Sequence, residues 1–318
     1  MKILYDHSVF QNQRCGGVSR YFYELITRMA PRKDTEINLF QGLNVNDFDL
    51  SPETVPYSSY FGYNPKIKVS PLIRSHLFIV PNKVLFGGFY RTLKDIDVYH
   101  PTYYYQGIKK HHKAPIVLTV YDMIHELYPN QLRYSKYTIN AKRISIETAD
   151  KIICISNNTK KDLMEIYDVP EDKIEVIYLA NSLQKPNNYI NITKEFGIRK
   201  PYLLYVGDRN GTYKNFSTLL EAYTSSLKDR FDLVCFGGGP FNKNELTIIN
   251  RAKCDNKVLQ LSASDYILAS LYQNAFAFVC PSHYEGFGLP LVEAMGMKCP
   301  VIAANTSSIP EVVGDAGI

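Results

Sequence analysis

The sequence predicts an α/β protein built from two parallel-sheet domains. Short apolar runs alternate with helical patterns in two separate series, and a weakly apolar stretch divides the series. With 318 residues, 45% hydrophobic and 21% charged, the chain is long enough to bury two cores of roughly 150 residues each.

In the first series, residues 2–6, 37–40, 115–121, 151–155 and 174–178 are predicted as buried strands, and 17–30, 135–149 and 158–167 as helices. These make an N-terminal domain, 1–180. The segment 181–200, with Lys185-Pro186-Asn187-Asn188, lacks a strong apolar period and is expected to be a linker. In the second series the strands fall at 202–206, 231–236, 257–261, 276–280 and 300–304, and the helices at 216–227, 242–253, 265–274 and 290–296. They make a C-terminal domain, 201–318. Alternation of this kind implies right-handed crossovers and ligands bound beyond the carboxyl ends of the strands. The two domains are expected to face each other across a cleft.

Composition narrows the function. A net charge of +5 gives no reason to expect a nucleic-acid partner. No apolar run reaches the ~18 residues of a membrane span, and Asp6 comes too early for a signal peptide, so a cytoplasmic location is expected. The six cysteines (Cys15, Cys154, Cys235, Cys254, Cys280, Cys299) form no C-x-x-C pair. Reduced, packed thiols are expected, without a disulfide framework or zinc site. Basic charge concentrates in residues 65–113, where Lys66, Lys68, Arg74, Lys83, Arg91, Lys94, Lys109, Lys110 and Lys113 interleave with Phe78, Phe86, Phe89, Tyr90 and Tyr103 to Tyr105. This stretch is either a solvated, Tyr-rich face or a contact with an anionic membrane surface or lipid-phosphate acceptor.

The chemistry-bearing residues follow the strand 276–280. Pro290 suits the first turn of a helix and Gly296 its end, which puts the loop 285–289 at a helix N-terminus. Unpaired N–H groups there, with Gly286 and Gly288 permitting close approach, suit a phosphate. Glu293 is expected in the first helical turn, where a carboxylate would accept hydrogen bonds from a sugar diol rather than compete with phosphate. Glu285 precedes the turn and is expected to meet a transferred sugar.

With Gly286-Phe287-Gly288-Leu289-Pro290 between them, Glu285 and Glu293 resemble the Glu-x7-Glu hallmark of the retaining family 4 glycosyltransferases of the GT-B fold, which has two Rossmann-like domains. The resemblance implies that Glu285 contacts the donor sugar, Glu293 the nucleotide ribose, and the amides of 286–289 the phosphates. It covers nearly the whole chain. Gly16-Gly17-Val18-Ser19-Arg20-Tyr21 matches the N-terminal glycine loop of the family, so Gly17 is a donor-side candidate; a plain strand-to-helix turn is the alternative. Tyr205-Val206-Gly207-Asp208-Arg209 with Lys214-Asn215-Phe216 resembles the donor-phosphate motif, in which Arg209 and Lys214 neutralise the diphosphate. Ser156-Asn157-Asn158-Thr159-Lys160 also fits, as a helix cap. The sequence departs from the pattern at Tyr121-Asp122, where many relatives carry His-Asp near the donor sugar. Tyr121 or His125 would have to substitute, and Asp122 is otherwise a turn-forming residue.

The resemblance implies transfer of a sugar with retention of configuration from a nucleotide-sugar donor to a saccharide or lipid-linked acceptor, the N-terminal domain taking the acceptor. The leaving diphosphate would be stabilised by Arg209, Lys214 and the loop amides. That calls for neither a metal nor a cofactor. The Asp47-Phe48-Asp49 and Asp95-Ile96-Asp97 pairs lie far in sequence from the phosphate motifs. Tyr5-Asp6-His7 and the Gly-Gly-Val-Ser-Arg-Tyr run look most like bacterial polysaccharide mannosyltransferases, which makes GDP-mannose the first expected donor and a UDP-sugar the second. An NAD-type epimerase should show Gly-x-Gly-x-x-Gly, which Gly237-Gly238-Gly239-Pro240 does not meet. A catalytically inactive nucleotide-sugar-binding relative is the other class. Ile318 ends the chain where the family continues into a strand and further helices, so a shortened C-terminus is expected.

Overall fold

The computed structural model describes residues 1–66, 75–105, 114–132, 134–186, 191–199 and 201–318. It is a two-domain α/β fold with parallel sheets. One compact unit comprises Met1–Tyr121, Tyr134–Ile155 and Lys160–Ile177, and the other Asp122–Arg133, Ser156–Thr159 and Tyr178–Ile318.

In the first unit, β1 (Lys2–Tyr5), β2 (Glu36–Leu43), β3 (Ser59–Tyr63) and β4 (Val98–His100) form a parallel sheet in the order β3-β2-β1-β4. A second parallel sheet has the order β5 (Val117–Val120), β6 (Lys151–Cys154), β7 (Ile174–Val176). A parallel bridge between Tyr99 and Ile116 joins the two. The strand order reverses at β1, so β1 and β4 flank a switch point where loops diverge to opposite faces. Asp6, just past β1, is 1% exposed and fastens this point: its carboxylate accepts from the Thr102 amide (3.0 Å), the Thr102 hydroxyl (2.7 Å) and the Tyr99 hydroxyl (2.6 Å). A buried carboxylate is tolerable because these donors replace its water.

In the second unit, β8 (Tyr202–Val206), β9 (Asp232–Phe236), β10 (Val258–Leu261), β11 (Ala277–Cys280) and β12 (Val301–Ala303) run parallel in the order β10-β9-β8-β11-β12. Alternate side chains feed two cores. Tyr202, Leu204, Val234 and Phe278 pack on one face with Leu271, Leu291 and Ile309, while Leu203, Tyr205, Leu233 and Cys235 pack on the other with Phe216, Leu220 and Ile249. A strand buried on both faces reads as a continuous apolar run, which is why these strands are legible in the sequence.

Among the described residues, elements that were not expected include β3, the helix Val80–Thr92, the short helices Ile124–Leu127 and Ile309–Val313, and the helix Ile192–Phe196. The last corrects the expectation of a linker at 181–200: in its described part Leu183, Ile192 and Ile198 are buried in the core of the second unit, and Asn191 caps the helix through the Lys194 amide. Residues 187–190 and 200 lie outside the described residues. All six cysteines are free, and Cys15 alone is exposed. Among the described residues, no helix is long and apolar enough to cross a membrane.

Candidate active site

The site is built at the carboxyl ends of β8, β9 and β11, on both sides of the second unit's switch point. After β11 the chain runs through Pro281–Gly288 into the helix Leu289–Gly296, whose second residue is Pro290. Gly288 precedes that helix with φ 90°, and a Cβ there would meet Leu291 Cδ1 at 2.6 Å, so only glycine fits. Glu293 is therefore the fifth helical residue rather than a first-turn residue, a correction set by the helix starting at Leu289. None of the amides of Gly286, Phe287, Gly288 and Leu289 donates to a described residue. Adjacent N–H groups at a helix start are of the kind that anions accept from, which keeps these four as candidates for phosphate.

The carbonyls of the same loop are all the more firmly held. The Ser307 and Ser308 hydroxyls donate to the Glu285 carbonyl (2.7 and 2.9 Å), and the Ser156 and Thr159 hydroxyls to the Gly286 carbonyl (2.7 and 3.1 Å). Ser156 also caps its own helix by accepting from the Thr159 amide, as expected from sequence.

Lys214 lies in the turn after β8. That turn is tied to the β11 loop by the His283 amide on the Tyr213 carbonyl (2.7 Å) and by Asn215 Nδ2 on the Pro281 carbonyl (3.1 Å). Lys214 Nζ then reaches both carboxylate oxygens of Glu285 at 2.8 and 2.9 Å, and Ser282 donates to Glu285 Oε1 at 2.7 Å. Burial alone would lower the Lys214 pKa, but the Glu285 charge and hydrogen bond outweigh it and raise it, so the ammonium stays charged. Glu293 is 7% exposed and accepts from the Tyr272 hydroxyl at 3.1 Å. Burial and then the Glu293 charge push the Tyr272 pKa well above its ordinary value, so that hydroxyl is a permanent donor.

Arg209 is placed differently from the expectation of an open phosphate ligand. Its side chain is 2% exposed, paired with Glu245 (3.2 Å) and donating to the carbonyls of Gly237 (2.9 Å) and Gly239 (2.6 Å). Phe241 and Phe216 flank the guanidinium at 4.7 and 5.6 Å. Gly237, Gly238 and Gly239 all have positive φ, and in that turn the carbonyls of Gly237 and Gly239 meet Arg209. As placed, Arg209 shapes the glycine turn after β9.

The remaining candidates are distributed. Asp122 Oδ1 accepts from the Ile124 amide, a turn-forming contact, and His125 lies half-buried in the helix Ile124–Leu127 that follows. Both belong to the second unit, where the Met123 amide donates to the Tyr284 hydroxyl (3.2 Å). Tyr121 belongs to the first unit, packed against Tyr21, Tyr103 and Tyr104. Gly17 opens the helix Gly17–Met29 there, and the Ser19 amide is capped by Gln13 Oε1 at 3.1 Å. Asp47 is paired with Arg14, Asp49 accepts from Ser51 and Thr54, and Asp97 accepts from the Lys2 amide. Sequence reasoning missed Ser282, Ser307, Ser308, Glu245 and Tyr272; Glu245 has a local signal as the third helical residue of a capping box with Asn242, and the others have none.

Residues 15–182 match the family described as Glycosyltransferase Family 4, and residues 190–317 that described as Glycosyl transferases group 1. The chain belongs to glycosyltransferase family 4. It is 29% identical to O-antigen chain mannosyltransferase B of Escherichia coli over 95% of this chain and 82% of that one. It is 27% identical to the O-antigen chain mannosyltransferase RfbU of Salmonella typhimurium, over 65% of this chain and 58% of the relative. In fold it is similar to sucrose-phosphate synthase of Thermosynechococcus elongatus (TM-score 0.77, 18% identity, 100% of this chain and 85% of that one). It is also similar to Anabaena HepE in complex with UDP and glucose (TM-score 0.71, 18% identity, 100% and 85%). As a family 4 glycosyltransferase, the chain is a transferase of the GT-B fold.

Proposed function

We propose that this glycosyltransferase moves a hexosyl group, mannose from GDP-mannose in the first instance, onto a saccharide or lipid-linked acceptor with retention, in the synthesis of cell-surface polysaccharide. The observation that carries the donor site is the row of four amides at 286–289, without an acceptor among the described residues, beside the Lys214–Glu285 pair. In this reading the amides and Lys214 take the diphosphate, Glu293 the ribose and Glu285 the transferred sugar. Arg209 adds its charge from behind the glycine turn, and Asp122 and His125 act toward the donor sugar.

Breaking the glycosidic bond builds charge on the leaving phosphate. A cation and fixed amide dipoles already aimed at it stabilise the transition state without reorganising, and no metal ion enters the scheme. Lys214 has to exchange Glu285 for phosphate, which leaves the Glu285 carboxylate beside the sugar and still held by Ser282. Mannose rests on the two relatives named as O-antigen mannosyltransferases. A UDP-sugar is the second reading, favoured by the structural neighbour that holds UDP and glucose.

Peripheral contact with the inner face of a membrane is also proposed. Leu77, in the turn before the helix Val80–Thr92, and Val80, Val84 and Leu85 in its first half are exposed, with the exposed Lys83 among them and Arg91 in the last turn. Of the aromatic residues expected to share that contact, Phe78, Phe86 and Tyr104 are buried, while Phe89, Tyr90, Tyr103 and Tyr105 are half-buried. Lys68, Arg74, Lys109, Lys110 and Lys113 lie outside the described residues. A thermal-shift panel of GDP-mannose, UDP-glucose, UDP-N-acetylglucosamine and dTDP-rhamnose tests the donor. Stabilisation by GDP-mannose above the others is expected, and stabilisation by none would overturn the proposal.

A further inference from the structure

We infer that Thr159, Ser156, Ser307 and Ser308 are positioning residues that aim the amides of the 285–289 loop at the donor's phosphates; this rests on the donor-site reading above. Two consecutive carbonyls, those of Glu285 and Gly286, each accept from two side-chain hydroxyls at 2.7–3.1 Å. The hydroxyls come from two segments far apart in sequence, the helix start at 156–159 and the turn at 307–308.

In a trans peptide the N–H points opposite the C=O. Holding the Glu285 carbonyl therefore fixes the direction of the Gly286 amide, and holding the Gly286 carbonyl fixes that of Phe287. Glycine at 286 and 288 would otherwise leave this loop many conformations. Ser156, Thr159 and Ser308 are 0% exposed, so water does not compete for the carbonyls. A second set of contacts locks the segments that supply the hydroxyls. Glu311 accepts from the amides of Asn157 (2.6 Å) and Asn158 (3.1 Å), tying the helix start to the helix Ile309–Val313 that follows the two serines. Ser307 itself has φ 56° and both donates to the Glu285 carbonyl and accepts from the Glu285 amide (3.2 Å). Strain of that kind persists only where surrounding contacts over-determine it.

The test compares the wild type with Thr159→Val, Ser307→Ala and the double variant. Thr159→Val removes a hydroxyl at nearly constant volume and leaves the Ser156 cap in place. GDP and UDP affinities are measured by calorimetry, guanosine and uridine affinities by ligand-observed NMR, and melting temperature in parallel. The double variant is expected to bind the nucleoside diphosphate roughly tenfold more weakly, with nucleoside affinity unchanged and the fold retained, its melting temperature lower by about a few degrees at most. Thr159→Ser, which keeps the hydroxyl, restores binding. Unchanged diphosphate affinity, or an equal loss for nucleoside and diphosphate, overturns the inference. If the double variant does not fold, Thr159→Val alone decides it by the same comparison. A wild type that binds neither GDP nor UDP instead overturns the donor-site reading, and this inference with it.

Discussion

At the scale of single residues, the site is a set of charges held in place by neighbours that the sequence does not announce. Lys214 and Glu285 were legible because their spacing to Gly207 and Glu293 resembles a family pattern. Their pairing with each other at 2.8 Å was not, since 71 residues separate them. Arg209 shows the same limit: its burial against Glu245 is decided by a helix 36 residues on. Glu285→Gln keeps the size and the Ser282 contact but loses the charge. It is expected to bind donor as well as the wild type and to transfer sugar about a hundredfold more slowly. Single-turnover kinetics beside donor titration check this, and wild-type turnover would remove Glu285 from the catalytic set. His100 gives a second prediction. Burial pushes its pKa down to about 4, with Thr119 Oγ1 at 2.9 Å. The unfolded chain, with an ordinary histidine near 6.5, binds the proton more tightly, so the stability tied to neutral His100 is complete above about pH 6.5 and is lost as pH falls toward 4. Between pH 7.5 and 5 this group should cost about 2 kcal/mol of folding stability. Urea unfolding of wild type and His100→Gln at both pH values measures it, and an equal pH dependence in the two would contradict the assignment.

At the scale of elements, most strands buried on both faces and helices with a clear apolar stripe were legible to within a residue or two, while β2 runs three residues past its expected end at 40. Elements held by packing against intrinsic preference were not. The helix Val80–Thr92 carries Gly87 and Gly88 in its interior, which disfavour helix by about 1 kcal/mol each. It forms because Phe86 is buried and packs on Phe40, His7 and Tyr99. Burying an aromatic side chain contributes roughly 1.5–3 kcal/mol, enough to outweigh such a penalty. β3 was missed because Ser59–Tyr63 is only half-buried and shows no strong apolar run. The exposed face of the helix Val80–Thr92 carries its own prediction. Binding to vesicles containing phosphatidylserine should exceed binding to neutral vesicles, fall with salt, and weaken when Val84 and Lys83 are both replaced by Ser. Equal binding to neutral and acidic vesicles would contradict it.

At the scale of the whole molecule, two parallel-sheet units with the same reversal of strand order, at β1 and β8, place their loops at the carboxyl ends of their strands. Fold class and family were legible because the alternation of apolar runs and the Gly-Phe-Gly-Leu-Pro segment are local. The hydroxyls that brace the donor loop were not, because they come together only on folding. The central claim is that the 285–288 loop, the helix start that carries Glu293, and Lys214 bind the donor of a glycosyltransferase. Calorimetric titration of wild type, Lys214→Ala and Glu293→Ala with GDP and UDP tests it most directly, with melting temperatures recorded alongside. Each variant should lose roughly 1.5–3 kcal/mol of binding to the nucleotide that the wild type prefers while remaining folded; unchanged affinity in both would contradict the account.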